Sequence, residues 1–441
     1  MSTTAPASAP VASPDRVEIV PRKVPVILTV ITVALALAVA LGAQDGDTTF
    51  RLATGKDLFQ LPDVVVPAEL TAWIGIVVMA LVSVDSWRRQ LTGHRTPMWE
   101  TALYAVVGLL AFLAWAAADG TIPMVGLLSG SLALAVPLVF GALGGVLGER
   151  AGVVNIAIEG QLLFGAFAAA IVGSLAAPPL VSALGESAGD FTGAIVASAG
   201  AAFAGMLVAV LLAVFAVRYF VEQVIVGVVL NVLVIGVTSF MFSQVLAPNA
   251  ATLNSPPRFR AIDIPILGDI PLIGPVLFRQ TLLVYALYVA VALVTFALWR
   301  TRWGLRLRAV GEHPKAADTV GIKVNRTRFR TVLLAGAIAG LGGASYTLVA
   351  VSQFNREMTG GAGYIALAAV IFGKWDPIRA TLAALLFGFA SQLQGTLSVI
   401  GSPVPSQFML MLPYVVTLFA VAGLVGHSRP PAASGQPYKL G

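Results

Sequence analysis

The chain contains no cysteine, which excludes disulfides, thiolate nucleophiles and zinc sites built on sulfur. Its three histidines, His94, His313 and His427, are scattered through predicted loops and show no metal-ligand spacing. Charge is scarce as well. Only 11% of residues are charged against 58% hydrophobic, and the mean hydropathy of +0.89 is far from the balance a soluble domain needs. No G-x-x-x-x-G-K-[ST] phosphate loop occurs anywhere, so the chain is not expected to bind nucleotide itself. The net charge of +6 could point to nucleic acid, but the basic residues follow the segments between apolar runs and do not form one face; no nucleic-acid partner is expected.

What the chain has in quantity is long apolar runs. A span of the bilayer takes about 20 apolar residues. Runs of that kind occur at 24–43, 64–84, 98–118, 122–147, 153–173, 192–217, 223–246, 281–299, 331–351, 378–397 and 405–426, and predict an all-α polytopic transmembrane helix bundle of about eleven full spans. The run 363–373 is too short to cross and ends in Lys374, Trp375, Asp376 and Pro377. It reads as a broken or half helix, tolerated at membrane depth only inside protein or beside a watery cavity. The first run, at 20 residues, is longer than the core of a signal peptide and is read as a span.

Lys and Arg are unevenly divided between alternate connections. With the N-terminus inside and the half helix completing a crossing, 21 fall inside and 6 outside, which predicts both termini in the cytoplasm. Residues 1–23 and 427–441, rich in Pro, Ser, Ala and Gly, read as disordered cytoplasmic tails around a permease domain at 24–426. Residues 247–280 hold six prolines and read as an extended or turned outside loop.

The connection RTRWGLRLRAVGEHPKAADTVGIKVNRTRFR, residues 300–330, holds nine of the 27 basic residues. Pro314 is a good first helical residue and Gly321 sits where a helix ends, so a short helix is expected between two basic flanks. Small residues at Ala316 and Ala317 would let it approach another surface closely. The second chemical region is GERAGVVNIAIEG, residues 148–160. Asn155 and Glu159, four apart, would share one face of a helix, with Glu159 about 15 Å beyond Glu149 at helical rise and so near mid-membrane. A carboxylate at that depth either serves a pathway or holds neighbouring helices together. Asn231 and Gln392 are amides at similar depth, and amides suit a neutral substrate because they donate and accept at once. The spans offer no buried cation to meet an anionic one. Glycines at 141 and 145, 144 and 148, and 336 and 340 have the spacing of close helix contacts. LLFGAF at 162–167 is echoed by LLFGFA at 385–390, a hint of two related halves.

Taken with MTGGAGYIALAAVIFGKWDP and LLFGFASQLQ, these motifs resemble the permease subunits of bacterial ABC importers of the ribose and branched-chain amino acid class, most closely the nucleoside permeases. The resemblance covers roughly residues 129–394. It implies a pore-forming subunit, not an enzyme, in the bacterial plasma membrane. It also implies a cytoplasmic ABC ATPase that binds ATP and Mg, a second homologous permease in a homo- or heterodimer, and an extracytoplasmic substrate-binding lipoprotein. Glu312, Pro314, Lys315, Ala316, Ala317 and Gly321 then correspond to the coupling region that seats in the ATPase, and Asn155, Glu159, Gly160, Asn231 and Gln392 are the candidate pathway residues. The family's second amide–acid pair is replaced here by Val221, Glu222 and Gln223. The alternatives are a sugar or branched-chain amino acid permease, a proton-coupled secondary transporter using Glu159, and a scaffold subunit without a pathway.

Overall fold

The computed structural model describes residues 22–42, 44–402, 407, 411 and 429–439. The described residues include fifteen helices: α1 (Lys23–Leu41), α2 (Ala68–Leu91), α3 (Met98–Ala116), α4 (Met124–Arg150), α5 (Ile158–Leu184), α6 (Glu186–Ala213), α7 (Gln223–Met241), the short α8 (Ala250–Leu253) and α9 (Ile273–Leu277), α10 (Leu282–Arg300), α11 (Arg302–Glu312), α12 (Pro314–Thr319), α13 (Val324–Ser345), α14 (Ala362–Phe372) and α15 (Pro377–Ile400). One wider turn lengthens each of α6, α7 and α13, at Val214–Arg218, Phe242–Leu246 and Tyr346–Ala350. Ten of these helices are long and apolar enough to cross a membrane. The expected span at 405–426 lies outside the described residues.

The described residues divide into two compact units, one holding α1–α3 and the other residues 47–66 and the described residues from Asp119 onward. In the first, the hydroxyls of Thr32 and Tyr104 meet at 2.9 Å and Ser83 joins at 3.3 Å. The expected span at 64–84 is displaced there. Val64–Pro67 is a strand, because three β-branched residues before a proline favour extended backbone. The helix instead runs on to Leu91, where Arg89 pairs with Asp85 and reaches the buried Glu100 at 2.8 Å.

The second unit is built around α4, which packs against α13, α14, α15 and α10, while α5, α6 and α13 pack on one another. Small strands sit at its margins: β1 (Asp47–Arg51) runs parallel to β3 (Thr121–Pro123) with β2 (Val64–Pro67) on its other side, and β4 (Ile262–Asp263) pairs antiparallel with β5 (Arg279–Gln280).

Glycine spacing decides which helices touch. A Cβ on Gly144 would lie 2.6 Å from the Ala335 carbonyl of α13, and one on Gly336 2.6 Å from the Gly205 carbonyl of α6. Gly141 and Gly145 turn the next face of α4 to Ala366 and Val370 of α14. The two echoed motifs share this role: Gly165 abuts Gly340 of α13, and Gly388 abuts Ser131 of α4.

Two helices exceed their expected ends. α5 runs through Pro178 and Pro179 to Leu184, since membrane helices tolerate proline that a soluble helix would reject. α13 begins at Val324, seven residues before the expected Thr331, so Arg326, Arg328 and Arg330 are helical.

Candidate substrate pathway and coupling site

The stretch from Gly148 to Gly160 is not one helix. α4 ends at Arg150, Gly152 turns the chain at φ +87°, and α5 starts only at Ile158. Asn155 therefore lies in irregular backbone and does not share a helical face with Glu159, and the helical-rise estimate of Glu159's depth does not apply. Irregular backbone inside a bundle must find internal partners. Here side chains supply them. The Val154 N–H donates to Gln223 Oε1 at 2.7 Å, the Gly160 N–H donates to Asn231 Oδ1 at 2.8 Å, and Asn231 Nδ2 donates to the Ile156 carbonyl at 2.9 Å and to the Tyr364 hydroxyl at 3.1 Å. Asn155 and Gln161 exchange hydrogen bonds, 3.0 Å from Asn155 Nδ2 to Gln161 Oε1 and 3.3 Å in return.

Replacing Asn231 by Leu would strand the Gly160 N–H, a loss of about 1–3 kcal/mol. The expected result is a lower thermal midpoint for the purified permease. An unchanged midpoint would show that this link carries no weight.

Glu159, 5% exposed, accepts three hydrogen bonds from the segment that opens α14: Thr359 Oγ1 at 2.6 Å, the Gly361 N–H at 2.9 Å and the Gly363 N–H at 2.6 Å. Gly360 and Gly361, at φ +54° and +85°, aim these N–H groups at the carboxylate, and Gly363 has no room for a side chain because a Cβ would strike the Glu159 backbone. A carboxylate at a helix N-terminus meets both free N–H groups and the favourable end of the dipole. The opposite end of α14 is held by the same sequence signature. Trp375 Nε1 donates to Glu149 Oε2 at 2.5 Å, and Arg150 donates to the Trp375 carbonyl at 2.8 Å and the Lys374 carbonyl at 3.3 Å. These bonds secure a turn in which Lys374 and Trp375 both have positive φ, an uncommon conformation for non-glycine residues. α14 has 11 residues, about 16 Å at helical rise, against a hydrocarbon core of about 30 Å. It is a half helix clamped at both ends by GERAGVVNIAIEG.

The basic connection holds two helices where one was expected. Thr301 caps α11 by accepting from the Gly304 N–H at 3.1 Å, and Pro314 starts α12, which Gly321 at φ +82° follows. Ala317 does not face outward as its proposed docking role required. It is 3% exposed, packed with Val310, Val324 and Tyr438, because α12 packs against the chain's own α11 and α13. Lys315, Ala316, Thr319 and Val320 form the exposed face. Ala317→Leu should cost about 1–3 kcal/mol by overpacking, whereas Ala316→Leu should leave thermal stability unchanged. Thermal unfolding followed by tryptophan fluorescence separates the two, and equal shifts would contradict this orientation of α12. Glu312, exposed, comes within 4.0 Å of Arg150, and Trp299 lies under the guanidinium groups of both Arg150, at 5.3 Å, and Arg308, at 4.5 Å. The α14 clamp and the basic connection thus share Arg150.

Gln392 does not join the amide cluster. It is half-buried on α15, with its amide over Gly130 of α4. The expectation of no buried cation is also corrected, since Arg328 is 2% exposed. Its guanidinium is already engaged by the carbonyls of Ala151, Gln436 and Ala433. A cavity of about 490 Å³ borders α4, α9, α10 and α15, lined by residues such as Leu128, Leu287, Tyr288 and Phe389, but it contains none of the cluster. Its walls are almost wholly apolar, without the convergent polar groups that orient a polar solute. Gln161, Gln223, Thr359, Tyr364 and Trp375 were missed as site residues by sequence reasoning. The signals were glutamines inside or at the start of apolar runs, and the polar residues flanking the half helix.

The geometry is that of a multi-pass helix bundle with a clamped half helix and a structured basic connection. The chain belongs to the family described as the permease component of the branched-chain amino acid transport system, whose model matches residues 127–421. It is similar to the guanosine ABC transporter permease protein NupQ of Bacillus subtilis, 39% identical over 70% of this chain and 95% of that one. It is also similar to the nucleoside ABC transporter permease protein NupC of Lactococcus lactis, 36% identical over 68% and 93% respectively, and to a putative glucose ABC transporter permease, TsgC13, of Haloferax volcanii, 34% identical over 61% and 77%. No solved structure matches. The chain is a pore-forming permease subunit of an ABC transporter, with ATP hydrolysis in a separate subunit. The family match begins after α1–α3.

Proposed function

We propose that this permease imports nucleosides, driven by a cytoplasmic ABC ATPase that holds ATP and Mg and fed by an extracytoplasmic binding lipoprotein, in a pair with a second homologous permease. The observation that carries the substrate is the 39% identity to a guanosine permease along 95% of its length. The electrostatics agree, because Arg328, the buried guanidinium among the described residues, and the half-buried Arg150 both donate to backbone carbonyls and are not held ready for a carboxylate or phosphate. Both termini and the basic connection lie in the cytoplasm on this reading, which the charge asymmetry supports.

The exposed face of α12, with Lys315, Ala316 and Val320, seats in the ATPase. Movement there passes through Glu312 and Arg150 to the Lys374–Trp375 turn and so to α14, whose other end Glu159 fixes to α5. Asn155, Gly160 and Asn231, all bonded internally, position this clamp; Gln392 is the amide available to touch substrate as access alternates.

Membrane vesicles containing the permease pair, the ATPase and the binding protein should accumulate labelled guanosine or adenosine. Uptake should survive a protonophore and fail when ATP is depleted. Competition by leucine, or accumulation of glucose or ribose in place of nucleoside, would overturn the substrate. Loss of uptake with the proton gradient alone would restore the secondary-transporter alternative.

A further inference from the structure

Residues 429–439 do not form the free tail their Pro, Ser, Ala and Gly content predicts. They lie across the α11–α13 end of the second unit, and each contact has a physical reason. The Ala433 N–H donates to the Gly311 carbonyl at 2.9 Å and the Ala432 N–H to Glu312 Oε2 at 3.2 Å, tying the segment to the end of α11. A turn through Gly435, at φ +78°, then redirects it so that the Gln436 and Ala433 carbonyls face the Arg328 guanidinium, at 2.7 and 3.4 Å. Asn325 Nδ2 donates to the Tyr438 carbonyl at 3.3 Å. Tyr438, 9% exposed, inserts its ring beside Ala317, Val310 and Val324, and its hydroxyl donates to Asp318 Oδ2 of α12 at 3.0 Å. Lys439 ends over the Phe220 ring at 5.7 Å, in the turn between α6 and α7.

Arg328 makes this packing specific. A buried guanidinium must be hydrogen-bonded to be tolerated, and two of its three acceptors belong to the 429–439 segment. Gly152 completes the fit, since a Cβ there would lie 2.6 Å from Arg328 Nη2 and 3.1 Å from the Ala433 carbonyl. The segment therefore touches the α4–α5 break, α11, α12, α13 and the α6–α7 turn together.

We propose that residues 429–439 are a strap that fixes the pose of α12, and that the strap is a built part of the surface on which the ATPase docks. Without it, α12 keeps its sequence but loses the Tyr438 wedge and the Asp318 bond that set its angle, and Arg328 loses most of its acceptors. The ATPase partner follows from the proposed importer reading; the strap itself does not depend on it.

The test has two arms. In the purified permease, amides 315–322 should exchange with deuterium about tenfold or more faster when the chain is ended at His427 than in the full chain. Unchanged protection would overturn the strap. In the assembled importer, Tyr438→Phe keeps the buried ring and removes only the hydroxyl on Asp318. It should raise the ATP hydrolysed per nucleoside imported by about two- to thirtyfold, with the amount of assembled complex unchanged. A wild-type ratio in that variant would overturn the docking role. A wild-type complex that hydrolyses ATP but imports no nucleoside would instead sink the substrate assignment, and the exchange arm would still decide the strap.

Discussion

Glu159→Ala should abolish most uptake, because three donors at the start of α14 lose the carboxylate that accepts from all of them at once. Each unsatisfied buried donor costs about 1–3 kcal/mol, so the total is comparable with a large share of a domain's stability. α14 should then detach from α5 while the long helices persist. Glu159→Gln should fall between, since an amide keeps one acceptor oxygen and sets an NH₂ group against a donor. The measurement is nucleoside uptake per assembled complex, taken with the thermal midpoint. Reduced uptake at an unchanged midpoint in both variants would point to a carboxylate acting in the pathway and contradict the clamp.

Gly363→Ala should be almost as damaging, for a steric reason. The new methyl would strike the backbone nitrogen and Cα of Glu159, neither of which can move aside as a flexible side chain can. Overpacking of this kind typically costs about 1–3 kcal/mol, occasionally more. Gly236→Ala on α7 is the control, since a Cβ there meets nothing within 4 Å. Uptake and midpoint should fall for Gly363→Ala and stay at wild type for Gly236→Ala. Wild-type behaviour of Gly363→Ala would show that α14 and α5 do not approach as closely as described.

The bundle was legible because a membrane span announces itself in composition: about 20 apolar residues need no tertiary information to be recognised. The half helix was legible for the complementary reason, as Gly363–Gly373 is too short to cross and stops at a lysine. Boundaries were less so. The span expected at 64–84 slid toward Leu91 because Arg89 finds Asp85 and Glu100, a pairing no local window reveals. GERAGVVNIAIEG was visible as a chemical region, but its internal break was not: nothing in the string says that Gly152 adopts positive φ or that Asn155 bonds Gln161. Helical rise therefore gives no measure of the depth of Glu159 across that break. The strap was hidden most completely, since a Pro-, Ser- and Gly-rich segment looks disordered until a buried arginine 105 residues earlier supplies its partner.

The central claim is that α12 and its neighbours dock an ATPase that drives import. The cysteine-free chain allows a direct test, because each single substitution introduces its only thiol. Ala316→Cys, Val320→Cys and Arg260→Cys would each be labelled with a thiol-reactive photocrosslinker in vesicles that import nucleoside, and then irradiated. Residues 316 and 320 lie on the exposed face of α12, and Arg260 is exposed in the 247–280 loop. The account predicts adducts with the ATPase from positions 316 and 320, changing in yield when ATP is added, and none from position 260. Adducts from position 260, or none from 316 and 320 in an importing complex, would contradict it.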